Sequence, residues 1–391
     1  MKSVSVSRII FLACLGHFTV DFMIGIWPVF KTIAALDIAL AGLLAAVCVF
    51  IGESLQLVFG TLSDKGYGRF LIAGGVLFAV TSLYFPFAAT YGAFSLLYLG
   101  TCIGSSAFHP TAVSFLASLD TLRKSSIMGL FTASGMLGFG VSQICFSWVY
   151  FQCDGNTAIL TVGPVILAFV AFLLLPKNYK PSLGQKDRFT FSLLVRFFKE
   201  RTLLALFMTL LSNQIILFSL LFVLPDLLQA MQVSSWVSFG GGTLSIMAGA
   251  TLSPPLLGYL ADRSSIRLVL VTVSSLAIAV FYTLLLTPGL EQAIILGLLF
   301  SLGMLLGGVS ALVWSFGGQA FPYNRGMISA FLMGVVWIFA EAGGIGTVSS
   351  LAGSFAENGP QKALSIMGLM GFAGIFFSLK LPRTVEVKAI S

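Results

Sequence analysis

The sequence predicts an all-α membrane protein with twelve transmembrane helices in two six-helix bundles related by an internal repeat. Three observations carry this reading. The chain of 391 residues is 58% hydrophobic and only 9% charged, with a mean hydropathy of +1.01, where a soluble domain carries about 25% charged residues. Apolar runs of about 20 residues recur from end to end, each long enough to cross a hydrocarbon core of about 30 Å as a helix. None shows the alternation over about ten residues that marks a membrane β-barrel. The short charged stretch Gly60-Thr61-Leu62-Ser63-Asp64-Lys65 returns 198 residues on as Gly258-Tyr259-Leu260-Ala261-Asp262-Arg263. That period, about half the chain, is too long for a solenoid unit and fits duplicated bundles of several spans.

The runs fall at roughly 9–30, 38–60, 70–89, 92–118, 125–150, 158–176, 202–225, 234–258, 268–287, 291–320, 326–351 and 363–380. They divide six and six around one long polar segment, giving an N-terminal bundle over 1–176, a linker over 177–201 and a C-terminal bundle over 202–391. The first run follows Lys2 and Arg8, but it holds His17 and Asp21 and has no small-x-small cleavage site, so it is read as a span and not as a signal peptide. Of the five cysteines, only Cys153 lies in a loop, and neither a disulfide framework nor a metal spacing follows from them.

Charge sets the orientation. With both termini on the cytoplasmic side of the inner (plasma) membrane, 19 of the 21 Lys and Arg residues are cytoplasmic and only Lys31 and Lys362 lie outside. The net charge of +7 is therefore a topology signal. The bases are spread over loops and form no single patch, which argues against nucleic acid as a partner. Trp27, Trp148 and Trp236 fall near outer ends of spans, where amphipathic rings settle at the lipid–water interface.

Ionisable groups at bilayer depth cost at least about 2.5 kcal/mol on insertion scales, so each needs a reason. His17 and Asp21 are four residues apart and share one helix face, which makes them the candidate proton-carrying pair. His109, followed by Pro110, sits at about the same depth as His17, roughly 13 Å from the cytoplasmic end at the helical rise. Glu53, with Gln56 one turn later, is read as reaching the cytoplasmic interface. Glu341 is mid-span on one face with Trp337, and the 198-residue repeat pairs it with Gln143. His109, Trp337, Glu341 and Gln143 are the candidate substrate-cavity residues. Glycines crowd the fifth and eleventh spans, as close helix packing requires.

The duplicated Gly-x-Leu-x-Asp-base loop, the twelve spans and the basic central linker resemble the major facilitator superfamily over the whole chain. In that family the loop closes the cytoplasmic gate, a role the resemblance implies here for Gly60, Asp64, Lys65 and Arg69 and for Asp262 and Arg263. The first copy departs from the motif, its later glycine falling one residue late at Gly68. More narrowly, Gly16-His17-x-x-x-Asp21 and Gly104-Ser105-Ser106-Ala107-Phe108-His109-Pro110 resemble the fosmidomycin resistance proteins, which are drug efflux pumps, although Thr111 stands where that family has an acid.

The expectation is a monomeric secondary transporter in the lipid bilayer, coupling protons to efflux of a small-molecule substrate by alternating rocking of two bundles around a midplane site. A nutrient uptake symporter is the alternative. A membrane enzyme or a non-transporting receptor is the reading from a different class. Helical membrane oxidases need many histidines and this chain has two. A metal site of His17, His109 and Asp21 lacks the sequence spacing that would argue for it, so no metal or cofactor is expected. The topology is checked by cysteine-accessibility labelling in a cysteine-free background. A cysteine placed in the 177–201 linker is expected to stay unlabelled from outside intact cells, and labelling there would overturn the orientation.

Overall fold

The computed structural model describes residues 6–119, 124–176, 191–321, 328 and 331–383. The termini, most of the expected linker and Arg325 lie outside the described residues. Ten helical stretches among those described are long and apolar enough to cross a membrane. In chain order the helices are α1 (Val6–Ile24), α2 (Ile26–Ile33), α3 (Ile38–Leu62), α4 (Gly68–Ala79), α5 (Tyr91–Ala117), α6 (Lys124–Gln152), α7 (Val162–Leu174), α8 (Phe191–Lys199) and α9 (Arg201–Ala230). They continue with α10 (Gly242–Arg263), α11 (Ile266–Leu286), α12 (Gln292–Leu306), α13 (Val309–Ala320), α14 (Gly343–Ser354), α15 (Gly359–Met367) and α16 (Met370–Lys380). Several starts are fixed by side-chain caps that satisfy otherwise orphaned amides. Thr90 accepts from the Ala93 amide, Glu200 from Leu203 and Ser265 from Leu268. The last part of the expected linker is helical, occupied by α8.

The helical tract from Ile38 to Phe87 runs 50 residues, far beyond the length one crossing needs. It is interrupted inside the charged loop, where Gly66 adopts φ 97°. Only glycine takes that conformation without steric cost. This explains the motif's irregular spacing: the turn is made at Gly66, while Gly68 is helical and lets the Phe115 ring approach to where a Cβ would lie 2.5 Å away. The second loop copy needs no such turn, since α10 ends at Arg263 and Ser265 caps α11 directly.

The chain forms two compact units, one comprising Met1–Leu36, Val47–Gly184 and Phe239–Leu244, the other Asp37–Ala46, Gln185–Ser238 and Ser245–Ser391. In the first, α1 packs on α5 and α6, and α4 packs on α5 and α7. An aromatic nest of Trp27, Phe30, Phe85, Phe94 and Tyr98 fills one end. Trp27 is fully buried there, so the interfacial position expected for it is corrected, whereas Trp148 and Trp236 are exposed. Lys31, at the end of the first span, is buried as well and donates to the Thr32 hydroxyl. The second unit holds a ring cluster in which Phe207 stacks on Phe331 while Phe197 and Phe198 meet their neighbours edge to face. A polar seam crosses it: the Asn213 amide group donates to the Thr209 carbonyl and accepts from Ser274, and Thr209 meets Ser378.

Gly66→Ala is expected to destabilise the protein by about 1 kcal/mol through its left-handed backbone. Gly60→Ala, whose added methyl would meet only Pro110 at an ordinary 3.9 Å, is expected to change little. Thermal unfolding of the two purified variants checks this contrast, and equal midpoints would refute it.

Candidate functional site

Within the first unit, α1, α5 and α6 gather the ionisable groups. His17 and Asp21 lie one turn apart on α1, with His17 Nε2 3.3 Å from Asp21 Oδ2. From α5, His109 Nε2 comes to 3.0 Å from Asp21 Oδ1. The carboxylate is therefore bracketed by two imidazoles whose ring centres are 4.9 Å apart and nearly perpendicular. The His17 ring is clamped between aromatic neighbours, stacking on Phe131 of α6 at 4.0 Å and facing Phe108 at 6.4 Å.

The far nitrogens fix the tautomers. His17 Nδ1 lies 2.7 Å from the Phe131 carbonyl oxygen, and His109 Nδ1 lies 3.0 Å from both the Ser105 carbonyl and hydroxyl oxygens. A carbonyl oxygen only accepts, so both Nδ1 atoms carry hydrogen. Each Nε2 then holds either a lone pair or a second proton. For both contacts to Asp21 to be hydrogen bonds, two further protons must be shared among the three side chains. Removing one sets a nitrogen lone pair against a carboxylate oxygen, and that contact becomes repulsive.

The sequence reading missed two further contributors. Glu53 on α3 accepts from Gln56 Nε2 at 2.5 Å and acts electrostatically on both His109 and Asp21. It belongs to the electrostatic surroundings of this cluster. Gly135 on α6 closes the cluster from the other side, since a Cβ there would fall on Asp21 Oδ2 and lie 2.5 Å from His17 Nε2. Neither could be found from spacing along one helix, because both act across helices.

The other sequence-selected residues sit elsewhere. Gln143 is fully buried, with its Oε1 accepting from Thr243 and its Nε2 without a partner among the described residues. In the second unit Trp337 packs with Trp314 at 5.9 Å and Phe218 at 6.2 Å. Glu341 follows on a wide, π-helical turn (Ile338–Ala342), a form enriched at functional sites. In the loop, Lys65 is exposed and Asp64 half-buried. Among the described residues no ion pair joins Asp64 to Arg69, whose guanidinium lies over the Phe70 and Phe172 rings at 4.9 and 4.5 Å. In the second copy Asp262 is exposed, and Arg263 lies over Tyr259 at 4.4 Å.

Ionisable side chains gathered inside an apolar helical bundle mark an ion or solute pathway, which places the chain among membrane transporters. It matches the profile of the Major Facilitator Superfamily over residues 9–344 and belongs to that family. Among solved structures it is similar to a bacterial homologue of the human lysosomal transporter Spinster in an inward-facing and unoccupied conformation. That likeness has a TM-score of 0.77 and 14% identity over 97% of each chain. It is also similar to a mutant form of the nucleoside transporter NupG, with a TM-score of 0.74 and 13% identity over 97% of this chain and 100% of the other. At such identities the likeness is one of fold. A search of curated proteins found no match.

Gly135→Ala is expected to cost about 1–3 kcal/mol, because the methyl has no room beside Asp21 and His17. Gly129→Ala, on the same helix with open space around it, is expected to be neutral. Thermal melts of the pair in detergent measure this, and a wild-type midpoint for Gly135→Ala would show that the cluster is looser than described.

Proposed function

We propose that this chain is a proton-coupled secondary transporter that expels a small molecule, with His17, Asp21 and His109 as its proton site. The observation that carries the reading is the carboxylate held between two Nε2 atoms whose tautomers are fixed by carbonyl partners. Such a cluster takes up and gives back a proton with a change in helix contact, which is what coupling to alternating access requires. Outward direction rests on the resemblance of the His17–Asp21 and Gly104–Pro110 stretches to drug efflux pumps.

The reading extends to twelve spans in two related bundles, embedded in the inner membrane with cytoplasmic termini and acting as a monomer. Two features support the repeat beyond the loop motif. Gly52 packs against Cys102, and Gly249 packs against Phe300; the first positions of these pairs are 197 residues apart and the second positions 198. The Gly66 turn and the 27-residue α5 also account for the two crossings beyond the ten apolar stretches. His109 and Gln143 in the first unit, and Trp337 and Glu341 in the second, are assigned to substrate contact. Gly60, Asp64, Lys65, Arg69, Asp262 and Arg263 are assigned to gating.

The test is a thermal-shift screen of purified protein against metabolites and antibiotics, followed by transport in proteoliposomes. A ligand at 100 times its Kd stabilises by about 2.7 kcal/mol, which a melt resolves. Asp21→Asn, which keeps the shape and removes the charge, is expected to abolish proton-driven accumulation of that ligand while leaving its binding and passive exchange within about threefold of wild type, a change under 1 kcal/mol. Uphill transport by Asp21→Asn at the wild-type rate would move the proton site elsewhere, with Glu341 the next candidate.

A further inference from the structure

The same cluster has the geometry of a transition-metal site. His17, Asp21 and His109 each offer one ligand atom, and these atoms all lie within 4.8 Å of one another. Four-coordinate zinc with bonds of about 2.0–2.1 Å places neighbouring ligand atoms about 3.3 Å apart. The two nitrogen-to-carboxylate separations, each to a different oxygen of Asp21, are 3.3 Å from His17 Nε2 to Oδ2 and 3.0 Å from His109 Nε2 to Oδ1.

The outer partners fit as well. A metal-bound histidine almost always donates its other ring N–H to a carbonyl or carboxylate, which fixes the ring and leaves one lone pair for the ion. His17 does this toward Phe131, and His109 toward Ser105. Two helices thus bring two imidazole nitrogens to one place, against the two oxygens of the Asp21 carboxylate. The Asp21 and His109 side chains each keep about a fifth of their surface exposed, which leaves the point reachable. The missing Cβ of Gly135 keeps its α6 side clear.

From this geometry we propose that the cluster binds one divalent transition-metal ion of the Zn²⁺ class. Two nitrogens and one oxygen suit that class, whereas Mg²⁺ and Ca²⁺ demand all-oxygen cages. Three protein ligands leave a fourth position open for water or a small anion. The ion uses the same Nε2 lone pairs and carboxylate oxygens that hold the shared protons, so metal and proton occupancy exclude each other. Binding follows from the geometry alone. The corollary, that Zn²⁺ blocks transport, rests on the proton-site reading above.

The test uses full-length protein purified without a histidine tag, stripped with EDTA and titrated with Co²⁺, whose ligand-field bands report coordination, then with Zn²⁺ as competitor. One Co²⁺ per chain is expected, displaced by one Zn²⁺. His109→Gln and Asp21→Asn should each weaken binding at least tenfold while eluting as folded protein. X-ray absorption of the Zn²⁺-loaded wild type provides the check that needs no variant. Two imidazoles and oxygen in the first shell support the site. Sulfur in that shell, no 1:1 binding, or unchanged affinity in a folded His17→Gln/Asp21→Asn/His109→Gln variant overturns it. Proton-driven transport is measured separately in EDTA. Loss of metal binding with normal coupling leaves the transport reading standing, and normal coupling in Asp21→Asn alongside metal binding by the wild type refutes only the proton site.

Discussion

A carboxylate between two imidazoles within a membrane bundle is the constraint around which the first unit is built. In low dielectric an isolated charge is expensive, and an unpaired buried polar group hardly less so. The structure meets that cost with partners at every position: His17 and His109 on the Asp21 oxygens, and backbone carbonyls on the remaining ring nitrogens. These demands fix which faces α1, α5 and α6 turn toward one another. The glycine at 135 and the aromatic clamp on His17 follow as packing consequences.

Much of this was legible in the sequence, for physical reasons that can be stated residue by residue. The i, i+4 spacing of His17 and Asp21 puts them on one face of any helix. Counting helical rise from the cytoplasmic ends set His17 and His109 at one depth. The link of Glu53 to the cluster was not legible, because its electrostatic partners come from other helices. Trp27 was misjudged for a related reason. Position near a span end predicts contact with the interface only when no neighbour covers the side chain, and here Phe85, Phe94 and Tyr98 cover Trp27.

The charged loop shows how backbone conformation adds to a motif. Read as letters, its first copy has a glycine one place late. Read as dihedral angles, the turn belongs to Gly66, and Gly68 serves contact with Phe115. The two copies share the acid and base but reach the next helix by different means, one through a left-handed glycine and the other through a serine cap. Likeness between the two loops therefore lies in charge placement more than in backbone path.

The composition of α5 bears on how the protein is made. This helix runs 27 residues and is long enough to cross a bilayer, yet it falls outside the ten stretches apolar enough to qualify by hydropathy. Gly104, Ser105, Ser106, His109 and Thr111 dilute it. A segment of that kind gains little by partitioning into lipid on its own. Its entry into the membrane is favoured once α1 and α4, on which it packs, already present a surface to receive it. The residues that give the bundle its chemistry thereby leave α5 relying on its contacts with α1 and α4 for what its own apolarity does not supply.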